Sequence, residues 1–297
     1  MKVGVVLPIG GSDGPTGGMP TWPELRAMAR ATEDVGLDSG WIADHFFYRA
    51  PDGAESGTHE AWTALSAVAA ITSRIELGPI VLCASFRNPG LTAKMAAAID
   101  EVSGGRLILG VGCGWHEPEY TSFGFPFDHR VGRFEEWLEI VRRLLGGERV
   151  TYHGRFHDAD DAVLVPPPRR RIPILIAAKQ PRMLDITARL ADAWNTAWFG
   201  WPDDRLRGRL ADLDRALDAA GRDPAAVERT VGIVVRDPDQ PPVAEPDASA
   251  IDGPVDELAR ALAAYRDLGI AHVQAILEPM TPRSVERLAT AWRRAAR

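Results

Sequence analysis

Short apolar runs alternate with stretches whose apolar residues recur at helical spacing, from one end of the chain to the other. KVGVVLP (Lys2 to Pro8) is a continuous apolar run, and WPELRAMARATEDVG (Trp22 to Gly36) follows with a helical period and a terminal glycine, as a helix stop requires. The same pair recurs. Strands are predicted at Ser39 to Asp44, Ile75 to Cys83, Arg106 to Gly112, Ile172 to Ala178, Asp192 to Ala197, Arg229 to Asp237 and Ala271 to Pro279. The matching helices are predicted at Glu60 to Ser73, Asn88 to Ser103, Asp128 to Leu145, Pro181 to Ala191, Pro202 to Gly221, Pro254 to Gly269 and Thr281 to Ala296. Pro89 suits a first helical turn, and Asp128 is the expected N-cap of its helix.

Eight strands each followed by a helix imply a parallel sheet. With no linker between units they imply one closed (β/α)8 TIM barrel, a single domain spanning 1–297. Val150 to Arg171 reads as a small hairpin with a proline-arginine connector, an insertion between strands four and five. The alternative is a doubly wound open sheet with an appended domain. The stretch LILGVGCGWHEPEY (Leu107 to Tyr120) bears on that choice. A dinucleotide turn needs G-x-G-x-x-G after the first strand. Counted from Gly110 the third position is Trp115, counted from Gly112 it is Glu117, and the run falls on the fourth strand. The glycines therefore mark a barrel strand end where backbone comes close to a neighbour or a ligand.

Composition narrows the function classes. The chain has 297 residues, 45% of them hydrophobic and 25% charged, with a formal net charge of −7. That balance fits a globular protein and argues against nucleic acid or an anionic membrane as partner. No apolar run of about 18 residues exists to span a membrane, MKVGVVLPIGG is too short for a signal peptide, and the expected location is cytoplasmic. Cys83 and Cys113 sit in apolar runs and read as core thiols, not a disulfide framework. No H-x-x-x-H or H-E-x-x-H pair suggests a metal, and no G-x-S-x-G or P-loop is present. Of 34 basic residues only Lys2, Lys94 and Lys179 are lysine, a bias that coding composition explains; it still singles out a lysine in a strand-end loop.

Barrel chemistry sits at the C-terminal ends of the strands. Those positions hold Asp44, His45, Phe46 and Phe47 after strand two, Ser85 and Arg87 after strand three, and Trp115, His116, Glu117, Glu119 and Tyr120 after strand four. Lys179 and Gln180 follow strand five; Asn195, Trp198 and Trp201 follow strand six. The tryptophans there suit either a large flat ligand or packing beneath long loops. His45 is the leading catalytic candidate, because an imidazole donates or accepts a proton near neutral pH; a rim hydrogen bond is the alternative reading.

These positions carry a family likeness. GLDSGWIADHF, SRIELGPIVLCASFRNPGLTAKMAAAIDEVSGGRLILGVGCGW, EPEYTSFGFPFDHRVGRFEE and IPILIAAKQPRMLDITARLADAWN resemble the bacterial luciferase-like superfamily, including its deazaflavin (coenzyme F-420) reductases, over Val3 to about Asn195. The resemblance implies a barrel that binds F-420 or FMN at its C-terminal mouth. It implies a non-prolyl cis peptide bulge near Ile80 to Cys83, bringing Val81, Leu82 and Cys83 behind the ring. The Asp44-His45 pair matches the F-420 branch, whereas flavin members more often carry glutamate there. Gly110, Gly112, Trp115, Glu119, Tyr120, Arg133 and Phe134 fall at cofactor-contacting positions by the same likeness. The cofactor's phosphate is expected at the turn after strand five, Ala177, Ala178 and Lys179, although the family's glycines are absent there. Sugar-phosphate dehydrogenases of this branch carry an acid where this chain has Trp115, so a sugar phosphate is disfavoured. The implied activity is hydride transfer between F-420 and a small organic substrate. An FMN-dependent monooxygenase and a non-catalytic flavin-binding protein are the alternatives. A homodimer packed through helices two and three is expected, and the loops Arg49 to His59 and Phe199 to Asp204 are expected to set specificity.

Overall fold

A computed structural model describes residues 1–242, 247 and 249–296. The first half runs β1 (Lys2–Val6), α1 (Trp22–Asp34), β2 (Ser39–Ile42), β3 (Phe47–Arg49), β4 (Glu55–Gly57), α2 (Ala61–Ile71), β5 (Glu76–Pro79), β6 (Leu82–Cys83), α3 (Pro89–Ser103), β7 (Leu109–Gly112), α4 (Glu117–Phe123) and α5 (Arg130–Leu145). The second half runs β8 (Val150–His153), β9 (Asp158–Ala162), β10 (Ile174–Ala177), α6 (Pro181–Leu190), β11 (Ala193–Phe199), α7 (Asp204–Ala219), β12 (Glu228–Arg236), α8 (Val255–Asp267), β13 (His272–Glu278) and α9 (Pro282–Ala295).

One parallel sheet carries the order β5-β2-β1-β13-β12-β11-β10-β7-β6. Its two ends are halves of a single barrel position, interrupted at the cis peptide Ile80–Val81. β5 pairs with β2 and β6 with β7. Leu77 also bridges to Leu107, and Ile108 N donates to the Leu77 carbonyl at 2.8 Å. Nine strands thus occupy the eight predicted positions of a nearly closed α/β barrel, with the interruption inside the Ile80 to Cys83 window. The β8–β9 hairpin forms its own two-stranded sheet beside the barrel.

Three local expectations are corrected. The helix predicted from Asp128 starts at Arg130, after His129 at φ 50°, and Asp128 accepts from Arg133 at 2.8 Å instead of capping. An antiparallel hairpin, β3–β4, runs over 47–57 and overlaps the 49–59 loop; its three-residue strands are too short to show an alternating pattern. The short helix α4 lies in what reads as the strand-four loop, with Pro118 in its first turn and Gly124 in the left-handed region after it.

The main core lies between sheet and helices. Within the barrel, Val6, Trp41, Ile80, Leu175 and Ala193 pack together. A polar pair of strata accompanies them. Trp41 Nε1 donates to Ser39 Oγ at 2.7 Å, which is 2.7 Å from His272 Nε2. Asn195 Nδ2 donates to Thr230 Oγ1 at 2.9 Å and to Gln274 Oε1 at 3.1 Å.

The alternating glycines of β7 have steric causes. A Cβ on Gly110 would lie 2.1 Å from the Pro79 carbonyl oxygen, and one on Gly112 would lie 2.8 Å from Val81 Cγ2. They admit the interrupted strand beside them. Because the obstacle at Gly110 is backbone, Gly110→Ala is expected to destabilise the fold by about 3 kcal/mol, the upper range for overpacking. A wild-type urea midpoint in that variant would refute the steric account.

Candidate active site

The C-terminal ends of β2, β6, β7, β10 and β11 open into one cleft of about 450 Å³. Two roomier hollows, about 570 and 710 Å³, lie along α5, beside the β8–β9 hairpin and the 167–174 connector, and away from those strand ends.

At one end of the cleft His45 leaves β2. Its Nδ1 is 2.8 Å from Glu119 Oε2, and Glu119 is 1% exposed. Glu119 Oε1 accepts from the backbone N–H groups of Phe46 and Phe47, at 2.5 and 3.3 Å. An ionised carboxylate can only accept, so it draws the imidazole proton to Nδ1 and leaves the Nε2 lone pair available. Nε2 has no partner among the described residues. Tyr48 and Trp115 flank the ring, with centroids 4.4 and 5.6 Å away. Burial, then the charges of Asp13, Glu119 and Asp44, push the Tyr48 phenol above its usual value. His116 stands nearby, its ring centroid 6.3 Å from that of His45; its Nε2 accepts from Arg49 N at 3.1 Å, and burial lowers its pKa.

Asp44 borders the cleft, yet its carboxylate is already occupied. Arg87 donates to both oxygens, at 2.7 and 2.9 Å, and Cys83 N donates to Oδ2 at 2.8 Å. Arg87 also reaches Glu60 at 2.7 Å, and Glu60 caps the start of α2. Asp44 therefore fixes β6 beyond the Ile80–Val81 interruption. The segment it fixes, Ile80 to Cys83, forms an apolar wall of the cleft.

At the other end stands Lys179, after β10. Arg209 Nη1 donates to the Lys179 carbonyl at 2.9 Å. Partial burial, then the guanidiniums of Arg209 and Arg205, hold the Lys179 pKa below the usual lysine value. No carboxylate pairs with Lys179 among the described residues. Asn195, Thr196 and Trp198 of β11, the strand beside β10, also line the cleft. The Thr196 hydroxyl is buried without a hydrogen-bond partner among the described residues. The ring of Trp198 lies on bare backbone: a Cβ on Gly232 would be 2.4 Å from its Cζ3.

Of the residues the sequence points to, Asp44, His45, Val81, Leu82, Cys83, Gly112, Trp115, Glu119, Ala177 and Lys179 line this cleft. Gly110, Tyr120, Arg133, Phe134 and Ala178 do not. Gly110 faces Pro79. Tyr120 is 1% exposed, its hydroxyl 3.0 Å from the Cys113 carbonyl and 3.1 Å from Cys83 Sγ. Arg133 reaches Asp128 and lies 4.5 Å over the Phe156 ring. Phe134 is buried beside Trp137. Both backbone groups of Ala178 are bonded, to Asn195 O at 3.2 Å and from Trp194 Nε1 at 2.9 Å. Tyr48, Thr196, Met183, Arg205 and Arg209 escape the sequence reading. For the two arginines the signal was available: four residues apart, they share one face of α7. No cluster of three or more metal-ligating side chains occurs among the described residues.

Residues 1–245 match the family model described as luciferase-like monooxygenase. The chain belongs to that family. Curated relatives include phthiodiolone/phenolphthiodiolone dimycocerosates ketoreductase of Mycobacterium tuberculosis, 35% identical over 228 residues, covering 70% of this chain and 59% of the relative. An F-420-dependent glucose-6-phosphate dehydrogenase of Kineococcus radiotolerans is 34% identical over 215 residues, covering 71% and 63%. The matched region spans about three fifths of those relatives. Among solved structures, an F-420-dependent secondary alcohol dehydrogenase in complex with an F-420–acetone adduct superposes with a TM-score of 0.82 at 19% identity, covering 99% of this chain and 98% of that one. A monooxygenase from Streptomyces bottropensis gives 0.79 at 22% identity, covering 98% and 97%. The luciferase-like fold is thus shared along the whole barrel.

Proposed function

We propose that this luciferase-like protein is an F-420-dependent oxidoreductase acting on an alcohol–carbonyl couple, with 1–297 as one domain and 150–171 as its insertion. The observation that carries the reading is the polarity of the cleft. A carboxylate-held imidazole stands at one end, and Lys179 stands at the other, with Arg209 bonded to its carbonyl. The names of the 34–35% identical relatives, a ketoreductase and an F-420-dependent dehydrogenase, support it.

The residues present fit such a cofactor. Ile80, Val81 and Leu82 offer an apolar wall for a planar ring. The orphan Thr196 hydroxyl offers one polar contact to its edge. Lys179 would hold a phosphate near the start of α6, where helix geometry also favours an anion, with Arg209 bonded to the Lys179 carbonyl behind it. When bound, F-420 supplies a two-electron hydride acceptor or donor. The protein's own task is the proton. His45 Nε2 takes it from a substrate hydroxyl in the oxidative direction and returns it in the reductive one. Glu119 stabilises the imidazolium that forms and keeps the ring in orientation, as a buried carboxylate does for a catalytic histidine elsewhere.

Separate fluorescence titrations with F-420 and FMN test the reading. F-420 is expected to bind at micromolar affinity or better and FMN more weakly; equal or tighter FMN binding moves the assignment to a flavin monooxygenase. Lys179→Ala is expected to weaken the phosphorylated cofactor by about 1–2 kcal/mol, the range for hydrogen bonds to charged groups. A deazaflavin fragment lacking the phosphate should bind both proteins alike. Equal losses for both ligands would mean that Lys179 shapes the cleft instead of contacting phosphate.

We also propose a cytoplasmic homodimer. No helix among the described residues is long and apolar enough to cross a membrane. α2 has no charged residue, and Leu91 and Val102 of α3 are 53% and 57% exposed. With Met95 and Ala98 they form a stripe at helical spacing. A monomeric mass in sedimentation would set this aside.

A further inference from the structure

The cleft also selects the charge and shape of the substrate. This inference rests on the oxidoreductase reading and specifies what that site accepts. Next to His45 the surroundings are aromatic, and the carboxylates there are already paired. Glu119 lies 2.8 Å from His45 Nδ1, and burial, then the charges of Asp13, Glu119 and Asp44, raise the pKa of the Tyr48 phenol. The nearby cations are spent. Arg87 is tied to Asp44 and Glu60, Arg49 to Glu55 at 2.6 and 2.9 Å, and Arg130 lies 3.9 Å over the Phe127 ring. Among the cleft-lining residues the one lysine or arginine is Lys179, on β10, while His45 is on the β2 side with β6 and β7 between them.

Trp115 is the second observation. It is 63% exposed, yet it is aimed by neighbours: its ring meets His45 at 71° and His116 at 62°, with centroids 5.6 and 5.1 Å away. An indole held edge-on to the acid–base imidazole presents a broad apolar surface beside the reacting position. Aromatic bodies gain most from such a surface through burial and stacking. A carboxylate or phosphate there would be desolvated with, among the described residues nearby, no free cation to pair with, which is unfavourable.

We propose that the substrate is an uncharged secondary alcohol, or the matching ketone, carrying a flat apolar body that packs on Trp115, and that Trp115 sets this specificity. In the oxidative direction the carbinol O–H proton passes to His45 Nε2. The carbinol C–H bond breaks with its electron pair, which leaves as hydride to oxidised F-420. The carbon becomes a carbonyl, and the cofactor is reduced by two electrons.

The test uses two matched pairs of ligands: a naphthyl methyl ketone and its carbinol, and the same two molecules bearing a ring carboxylate. Ketone binding is followed by calorimetry on the full chain with and without F-420; carbinol oxidation is followed in the F-420-loaded protein. The neutral ketone is expected to bind at least about 30-fold tighter than the carboxylated one. Trp115→Ala should raise its Kd and the KM of the carbinol at least about tenfold with kcat changed less than about threefold, and Trp115→Phe should recover most of the loss. Equal binding of the carboxylated ketone, unchanged affinity in Trp115→Ala, or no ketone binding at all overturns the proposal. An F-420 affinity that falls as far as ketone affinity in Trp115→Ala also overturns it, by placing the indole against the cofactor. Trp115-dependent ketone binding in a protein that does not bind F-420 would leave the substrate assignment standing and remove the cofactor reading alone.

Discussion

His45→Ala is expected to lower turnover at least about 100-fold, the low end for general acid–base catalysis, while F-420 affinity changes less than about threefold. The asymmetry follows from where the ring stands. His45 is at the β2 end of the cleft, held by Glu119, whereas Lys179 stands at the other end. Removing the imidazole takes away the proton acceptor and strands a buried carboxylate that still holds the Phe46 and Phe47 amides. Steady-state rates and fluorescence titration on the same preparations separate the two effects. Wild-type turnover in the variant would return His45 to a rim hydrogen bond.

The second large effect is on stability against acid. His272 is 2% exposed inside the barrel, and burial, then Lys2 and the chain's amino terminus, lower its pKa to about 3. Trp41 already donates to Ser39 Oγ, so the Ser39 proton goes to His272 Nε2, an arrangement that only the neutral imidazole accepts. In the unfolded chain the ring protonates near its ordinary value of about 6.5. Below that pH the unfolded state binds a proton that the native state refuses. Native stability is therefore fully present above about pH 6.5 and lost progressively as the pH falls toward 3. The slope is about 1.4 kcal/mol per pH unit. His272→Gln should be less stable than wild type at pH 7. The gap should narrow by about 1.4 kcal/mol per unit between pH 6 and 4.5 in urea unfolding. Carboxylates held low in the fold, such as Glu33 and Glu136, weaken both proteins together at lower pH and cancel in the difference. A gap that stays constant with pH would refute the assignment.

Much of the barrel is legible because its period is local. Each strand and helix announces itself within about a dozen residues, and the glycines of β7 mark a close approach before any partner is known. What the chain approaches there is not local. Gly110 meets Pro79, and it is the family likeness, not the glycine spacing, that assigned it to the cofactor. The dyad is hidden for the same reason: His45 and Glu119 are 74 residues apart, and only closure of the barrel brings them within 2.8 Å. Asp44 shows the converse. Its place beside His45 suggests ligand contact, yet Arg87 and Cys83 claim its oxygens. The β3–β4 hairpin was unreadable because three residues per strand carry no period.

The seat of Trp198 on Gly232 has a consequence for how this scaffold diversifies. Trp198 lines the cleft, but the space behind its ring belongs to β12, the neighbouring strand. A side chain placed at position 232 would press on the indole and on Ala197, whose Cβ would be 2.7 Å away. Cleft width is therefore adjustable from a residue absent from the cleft lining, like a shim behind a panel.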